Sequence, residues 1–549
     1  MTKSNPDNSI NFVPILILAS ITVVCLVPFA GKAFNIDEPL FIWVAKQIQL
    51  HPLDFYGFRI NWYGTEMGAS AIIKNPPLAS YYIALVANLS SWSEISLHLA
   101  FLLPAVSATV GMYFLAREFT QHPLAATLIG ILNPAFILSG STVMCDTMMI
   151  AFFVWAVFFW VRGIKKDKGW DFFSAAVLIS LCSLTKYFGI SLIPLLLLFT
   201  LTARKGKWQQ SLFLLIPIAV LCLYQWDTYV LYGRGLLSDA ASYASKEKGI
   251  KFAAIVPNLV TGLSFTGGCL ISTLFFVPQL WNKRVVYASA LFIPCAALAL
   301  SRLNFYGVAE SVGWQYYLQL AFLVAAGINI LVLAGLDLWQ RKGPESLLLV
   351  LWIMGTFIFA SLINWSVNGR SILPMAPVAG IIVMRFLENQ PGKSWQPGFR
   401  QMAVPLSCAW LVSMAVTWAD FKLAETARDA ARVITRTYGG SAKPLWFQGH
   451  WGFQYYMEQN GGIAYDRKRS SINPGDIMVV PENNTNAFPE ILEQGSPLQI
   501  LELTPSRFLT TMNYKACAGF YSSDFGPLPF LVDNELDERY HVVVFPQSH

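Results

Sequence analysis

The strongest constraint on this chain is a series of apolar windows, each ~16–22 residues long, that recurs from Asn11 to about Trp418. Each crossing of a ~30 Å hydrocarbon core takes ~20 apolar residues in helical form, since only a helix or a closed barrel satisfies its own backbone there. The windows therefore predict a polytopic α-helical membrane protein. Composition agrees: 55% of the residues are hydrophobic and 13% charged, against about 25% charged in an ordinary soluble domain. A soluble enzyme is excluded. The first run, Phe12–Ala30, exceeds the ~7–15-residue apolar core of a secretory signal and is expected to be an uncleaved first span.

The formal charge of +6 hides two unlike parts. From Ala419 onward the chain has 11 Lys and Arg against 15 Asp and Glu, a net −4, whereas the residues before carry 27 against 17, a net +10. The basic excess sits between apolar windows, as cytoplasmic loops require, with no compact basic tract of the kind a nucleic-acid binder shows. Nucleic acid is not an expected partner. If the first span starts in the cytoplasm, then Arg117, the group Arg162, Lys165, Lys166 and Lys168, the group Arg204, Lys205 and Lys207, and later Lys283/Arg284, Arg341/Lys342 and Lys393/Arg400 all fall inside. This gives about 13 spans, with the last, Ala403–Trp418, leading outward. Leu78–Leu89 is too short to cross and is expected to be juxtamembrane or half-inserted. The loop from Gly31 to Pro77 is then outer and the longest in the membrane part, and long ordered loops are usually functional.

The chain divides into residues 1–418, the membrane part, and 419–549, a small α/β domain expected outside the cytoplasm. Asp420–Tyr438 has the pattern of an amphipathic linker helix, with Glu425/Arg428 and Asp429/Arg432 spaced to pair and Gly439-Gly440 as its stop. Strands are expected at Pro444–Gln448, Asp476–Val480 and His541–Phe545, with helical stretches at Phe453–Gln459 and Pro489–Gln494. No phosphate-binding glycine loop occurs in this part. The eight cysteines form no C-x-x-C pair and read as small buried hydrophobes, a Cys145–Cys517 bridge being the one conceivable alternative.

Ionisable residues beside spans are costly unless paired or wetted, which makes each a functional candidate. Asp37 and Glu38 follow the first span and can act as a base beside a hydroxyl-holding carboxylate, or simply favour a helix start. Asp146 lies at an outer junction of two spans, where an N-cap role is the alternative. Lys74, Lys186 and Arg370 are cations expected on the same outer side, able to hold a phosphate or to snorkel to the interface. The first loop and its end are dense in aromatic residues, among them Trp43, Phe55, Tyr56, Phe58, Trp62, Tyr63, Tyr81 and Tyr82, which suits an interfacial belt or a sugar- or prenyl-binding wall. No H-E-x-x-H or G-x-S-x-G motif occurs. His51, His98 or His450, near acids, could bind a divalent ion, and none is required.

Five of these features stand in one order: the D-E pair at Asp37–Glu38, the P-P-L-x-x-Y segment Pro76–Tyr81, Asp146, the L-T-K segment Leu184–Lys186, and R-x-x-L-P at Arg370–Pro374. In that order, over about residues 10–390, the chain resembles the GT-C membrane glycosyltransferases of the protein O-mannosyltransferase and lipid A aminoarabinose-transferase type. The resemblance implies a GT-C fold and a sugar donor carried on a polyprenyl phosphate. It also implies inverting transfer to a hydroxyl or phosphate of a glycolipid, glycan or protein at the extracytoplasmic face, with no obligatory cofactor or metal. It assigns the base to Asp37, with Glu38 and Asp146 as further acids, and it gives Lys74, Lys186 and Arg370 the donor phosphate. Asn75, Tyr81, Tyr82 and Trp62 would line the substrates. The aminoarabinose branch carries arginine soon after D-E, where this chain has Pro39-Leu40, and lysine directly before the proline, where this chain has Asn75. A monomer in a bacterial inner membrane is the expected setting. The rival class is a secondary transporter of a small anionic or sugar solute, since many spans with embedded charges also suit a permease.

Overall fold

The computed structural model describes residues 12–203, 208–248, 254–303, 313–390, 398–440, 443–533 and 536–546. Asn11, Arg204, Lys205, Lys207 and Lys393 lie outside the described residues. Among the described residues, 8 helices are long and apolar enough to cross a membrane, or up to 10 if each of two bent pairs counts as one span. That is fewer than the about 13 expected from loop charge. The shorter apolar helices Val13–Phe29, Gly169–Thr185 and Tyr187–Ala203 stand beside these and bring the number of apolar helices to the about 13 expected. Leu78–Leu89 is a 12-residue helix, as its length implied.

The two bent pairs are Pro123–Ile131 with Pro134–Gly140, at 65°, and Ile255–Cys269 with Ile271–Leu280, at 71°. The first bend is a proline effect. Pro134 supplies no N–H to continue the preceding helix, and Asn133 caps the next one by accepting from Phe136 N–H at 3.0 Å. A third interruption falls at Lys186, whose extended backbone (φ −152°, ψ 132°) ends Gly169–Thr185 before a 3₁₀ turn, Tyr187–Ser191. Breaks of this kind are tolerated at membrane depth where protein covers them.

The long loop after the first span is ordered throughout. It contains the helix Glu38–Leu50, the antiparallel hairpin Arg59–Asn61 with Glu66–Gly68, and the short helix Ala69–Ile72. The chain then returns through Phe399–Tyr438, a single 40-residue helix. The expected boundary at residues 418 and 419 falls inside it, so the amphipathic segment from Asp420 is continuous with the last span. Glu425 and Arg428 pair at 3.2 Å on this helix, and Arg432 stands 3.9 Å from Asp429.

The C-terminal domain is built on a five-stranded sheet in the order Ile463–Ala464, Leu445–Phe447, Ile477–Pro481, Glu538–Val544, Ser496–Leu503. The first three strands pair in parallel and the last two join antiparallel, with an irregularity between Val542 and Val543. Ile477–Pro481, buried at every position, forms the centre of the sheet and matches its expected place within one residue. Ser496–Leu503, an exposed edge strand, carries no alternation and was not anticipated. The domain is laced to the first outer loop by Arg467 N–H donating to the Gly64 carbonyl at 3.0 Å, Asn61 Nδ2 to the Tyr465 carbonyl at 2.9 Å, and Glu66 N–H to Asp466 Oδ2 at 2.9 Å. All eight cysteines are free, so Cys145 and Cys517 form no bridge.

Candidate functional site

The site starts from a strained turn. Ile36, a β-branched residue, holds φ +50°, a left-handed conformation that costs about 1–2 kcal/mol for a non-glycine residue. Glu38 fastens that turn: its Oε2 accepts from Asn35 N–H at 2.6 Å and its Oε1 from Val143 N–H at 2.6 Å. Glu38 is therefore not placed to hold an acceptor hydroxyl, because it is fully buried and its two oxygens are committed to backbone donors. Burial opposes ionisation of this carboxyl, but His98 beside it (Nε2 3.6 Å from Oε1), the Lys32 charge and the Val143 N–H outweigh it, and its pKa lies below the usual value. Asp37, the preceding residue, keeps its side chain 29% exposed.

Arg370 reaches Asp37 across the fold. Asn368 caps the short helix Gly369–Ile372 by accepting from Ser371 N–H at 2.9 Å, and this fixes the backbone that carries Arg370. Arg370 Nη2 donates to Asp37 Oδ2 at 2.9 Å, and Nη1 lies 4.0 Å from Asp146 Oδ2. Asp146 in turn accepts from Lys186 Nζ at 2.6 Å. It is the second residue of the helix Cys145–Lys166, whose cap is Met144, and its side chain makes no capping bond. The N-cap alternative is thereby corrected: Asp146 is buried between two cations instead. Asp37, Arg370, Asp146 and Lys186 thus alternate in charge along one continuous line, drawn from four segments more than 300 residues apart at the extremes.

Lys74 stands apart from that line. Its Nζ pairs with Asp239 at 2.5 Å and lies 5.3 Å from the ring of Tyr243, both on the helix Leu236–Lys248. Asn75 offers its carbonyl to the Tyr56 hydroxyl at 2.5 Å. Tyr81 donates to the Pro52 carbonyl and Tyr82 to the Ala100 carbonyl, the latter at 2.7 Å. Trp62 is turned toward the C-terminal domain, stacked on His450 at 5.1 Å with an edge against Trp43 at 6.0 Å. Among the described residues no group of three His, Cys, Asp or Glu side chains is arranged to hold a metal.

Residues not singled out from the sequence complete the surroundings. Lys32, buried directly after the first span, pairs at 2.5 Å with Asp420 on the helix Phe399–Tyr438, and Tyr521 donates to the same carboxylate at 2.8 Å. Both Lys32 and Asp420 carry the signal that mattered elsewhere, an ionisable group beside an apolar run. Nothing local to Tyr521 distinguishes it.

A family model described as dolichyl-phosphate-mannose-protein mannosyltransferase matches residues 74–226. No curated protein matches the chain in sequence. Among solved structures, the apo oligosaccharyltransferase of Archaeoglobus fulgidus is similar at 13% identity and a TM-score of 0.48, over 85% of this chain and 66% of that one. The chain thus spans just under two thirds of that protein. ArnT of Cupriavidus metallidurans bound to undecaprenyl phosphate is similar at 13% identity and a TM-score of 0.43, over 97% and 98% of the two chains. The Pmt1–Pmt2 protein O-mannosyltransferase complex of S. cerevisiae bound to its sugar donor follows at 15% identity and a TM-score of 0.32, over 43% and 35%. The chain resembles the protein O-mannosyltransferase type of membrane glycosyltransferase, as its motifs implied, and the matched stretch includes Lys74, Asp146 and Lys186.

Proposed function

We propose that this protein is an inverting, multi-pass membrane glycosyltransferase that moves a sugar from a polyprenyl-phosphate carrier to a hydroxyl or phosphate acceptor at the extracytoplasmic face. The observation that carries this reading is the line Asp37–Arg370–Asp146–Lys186, a partly exposed carboxylate next to a buried guanidinium and a half-buried ammonium. A prenyl phosphate leaves as an anion and needs its charge offset rather than a proton, so cations and one base suffice. The description of the matching family names a dolichyl-phosphate-linked mannose, which is a donor of this chemistry.

In the reaction, the acceptor oxygen attacks the anomeric carbon on the face opposite the phosphate. The bond from that carbon to the phosphate oxygen breaks with its electron pair remaining on the phosphate, and the acceptor proton passes to Asp37. Arg370 and Lys186 face the leaving phosphate, with Lys74 at the rim, and Asp146 is the counter-ion that holds Arg370 and Lys186 in place while the site is empty. Glu38 is assigned to the turn that presents Asp37. Asn75, Tyr81 and Tyr82 border the same loop and remain candidates for lining the substrates, whereas Trp62 is assigned to the seam with the C-terminal domain. That domain, residues 419–549 together with its outward-leading helix, lies over the outer mouth, and the protein acts as a monomer in a bacterial inner membrane.

Asp37→Asn is the test. A general base contributes about 10²–10⁴-fold, so the variant should lose transfer of labelled sugar in detergent by at least that factor. Its folded yield and binding of polyprenyl phosphate should stay near parental levels. Transfer at close to the parental rate would remove Asp37 from the role.

A further inference from the structure

Arg370 is buried, yet hydrogen bonds alone do not fix its guanidinium. Nη2 is held by Asp37, but Nη1 meets only the sulfur of Met144 at 3.2 Å and Asp146 at 4.0 Å. Nε is buried without a hydrogen-bond partner. Five N–H donors on a planar fork leave rotation about its long stem open unless a surface blocks it. That surface comes from the C-terminal domain: the ring of Tyr521 lies 5.6 Å from the guanidinium carbon.

Tyr521 is itself tied down. Its hydroxyl donates to Asp420 Oδ2 at 2.8 Å, and the same oxygen accepts from Lys32 Nζ at 2.5 Å, while Thr511 Oγ1 reaches Asp420 Oδ1 at 3.2 Å. The backbones on either side are sewn together. Gly369 N–H donates to the Phe520 carbonyl at 2.8 Å, Ser523 N–H to the Val367 carbonyl at 2.8 Å, and Val367 N–H to Ser523 Oγ at 3.0 Å. A Cβ on Gly369 would stand 2.4 Å from the Phe520 ring, so glycine is what lets the two segments run this close.

Resting on the donor-phosphate reading of Arg370, we propose that Tyr521 is a positioning residue, whose ring, anchored through Asp420 to Lys32, sets the aim of Arg370 at the donor. The C-terminal domain then builds part of the donor site as well as covering it. A phenol whose proton points into a carboxylate presents an electron-rich face, which favours a desolvated cation above it.

Tyr521→Leu fills most of the ring's volume without a π face, and Tyr521→Phe keeps the face while losing the hydroxyl. Leu is expected to raise the donor KM about 10-fold, in line with a desolvated cation–π contact. Acceptor KM should hold, both variants should melt below the parent because the buried Asp420 carboxylate loses a donor, and Phe, which keeps the ring face but cuts the anchor, should bring the donor KM back to between the parent and Leu. Arg370 in the Leu variant should also become reactive to phenylglyoxal, mapped by peptide mass spectrometry on the full chain. If Leu does not fold, Tyr521→Met takes its place in the same comparison. A parental donor KM with parental Arg370 reactivity, or a Phe variant as impaired as Leu, overturns the proposal. A parent protein that transfers no sugar overturns the functional reading instead, and Arg370 reactivity across the same variants still decides the role of Tyr521.

Discussion

Asp146→Asn separates the two things asked of Asp146. Its carboxylate is fully buried, 2.6 Å from Lys186 Nζ and 4.0 Å from Arg370 Nη1. Two unit charges 4 Å apart interact by about 4 kcal/mol at an effective dielectric constant near 20. Asparagine keeps an oxygen for Lys186 but removes the charge, which leaves two cations facing each other across a neutral amide. Breaking a buried pair from one side costs about 3–5 kcal/mol. The Lys186 side chain is 20% exposed and Arg370 retains Asp37, so the low end, about 3 kcal/mol, applies here. The midpoint of thermal unfolding in detergent should fall by about 3 °C. Undecaprenyl phosphate should then stabilise the variant more than the parent, because its phosphate supplies the missing negative charge. A ligand at 100 times its Kd adds about 2.7 kcal/mol, enough to recover most of the loss. Melting curves with and without the lipid read both effects. A variant that melts like the parent without lipid, or gains no more from lipid than the parent does, refutes the placement of donor phosphate against Lys186 and Arg370.

Two further predictions concern buried charge. Lys32 and Asp420 are 1% and 0% exposed, so Lys32→Met or Asp420→Leu alone should each cost about 3–5 kcal/mol, while the double variant, which replaces the pair by apolar side chains, should recover much of that; thermal midpoints of the three variants give the coupling directly. Burial, partly offset by hydrogen bonds from Asn483 and Asn513, pushes the Glu538 carboxyl up to about 7. A carboxyl raised in the folded state contributes stability at low pH that is lost as pH rises from about 4.5 through 7, an effect of about 3 kcal/mol. Glu538→Gln should flatten that decline relative to the parent between pH 5 and 8, and an unchanged pH profile of the midpoint would show that Glu538 ionises freely. Taking the difference between variant and parent also cancels His450, whose pKa burial lowers to about 3 and which titrates in the opposite sense.

The apolar windows, the loop charges and the change of composition after residue 418 were legible because each depends on local sequence: helix length, charge between helices, and alternation in strands. They gave the membrane class, the ordered first outer loop and three of the sheet's five strands. They did not show where the apolar runs are interrupted, at Lys186 and at Pro134, because hydropathy registers a run whether or not its helix is continuous. The edge strand Ser496–Leu503 escaped notice because its residues are mostly exposed and show no periodic burial.

Charged side chains beside apolar runs could be named as candidates from their cost alone, and this singled out Asp37, Asp146, Lys186 and Arg370. Which of them meet is a property of the packed helices. Glu38 differs from Asp37 by one position, yet it turns inward to two backbone N–H groups while Asp37 stays open to Arg370. That division follows from the left-handed turn at Ile36, which no single-residue preference for isoleucine would suggest. The seam between Gly369 and Phe520 joins segments 151 positions apart and depends on the absence of a side chain at one of them. Sequence alone determined that this chain lives in a bilayer and carries costly charges there. The tertiary fold decided how those charges pair, because Coulomb energy depends on distance through space and the chain order holds no record of it.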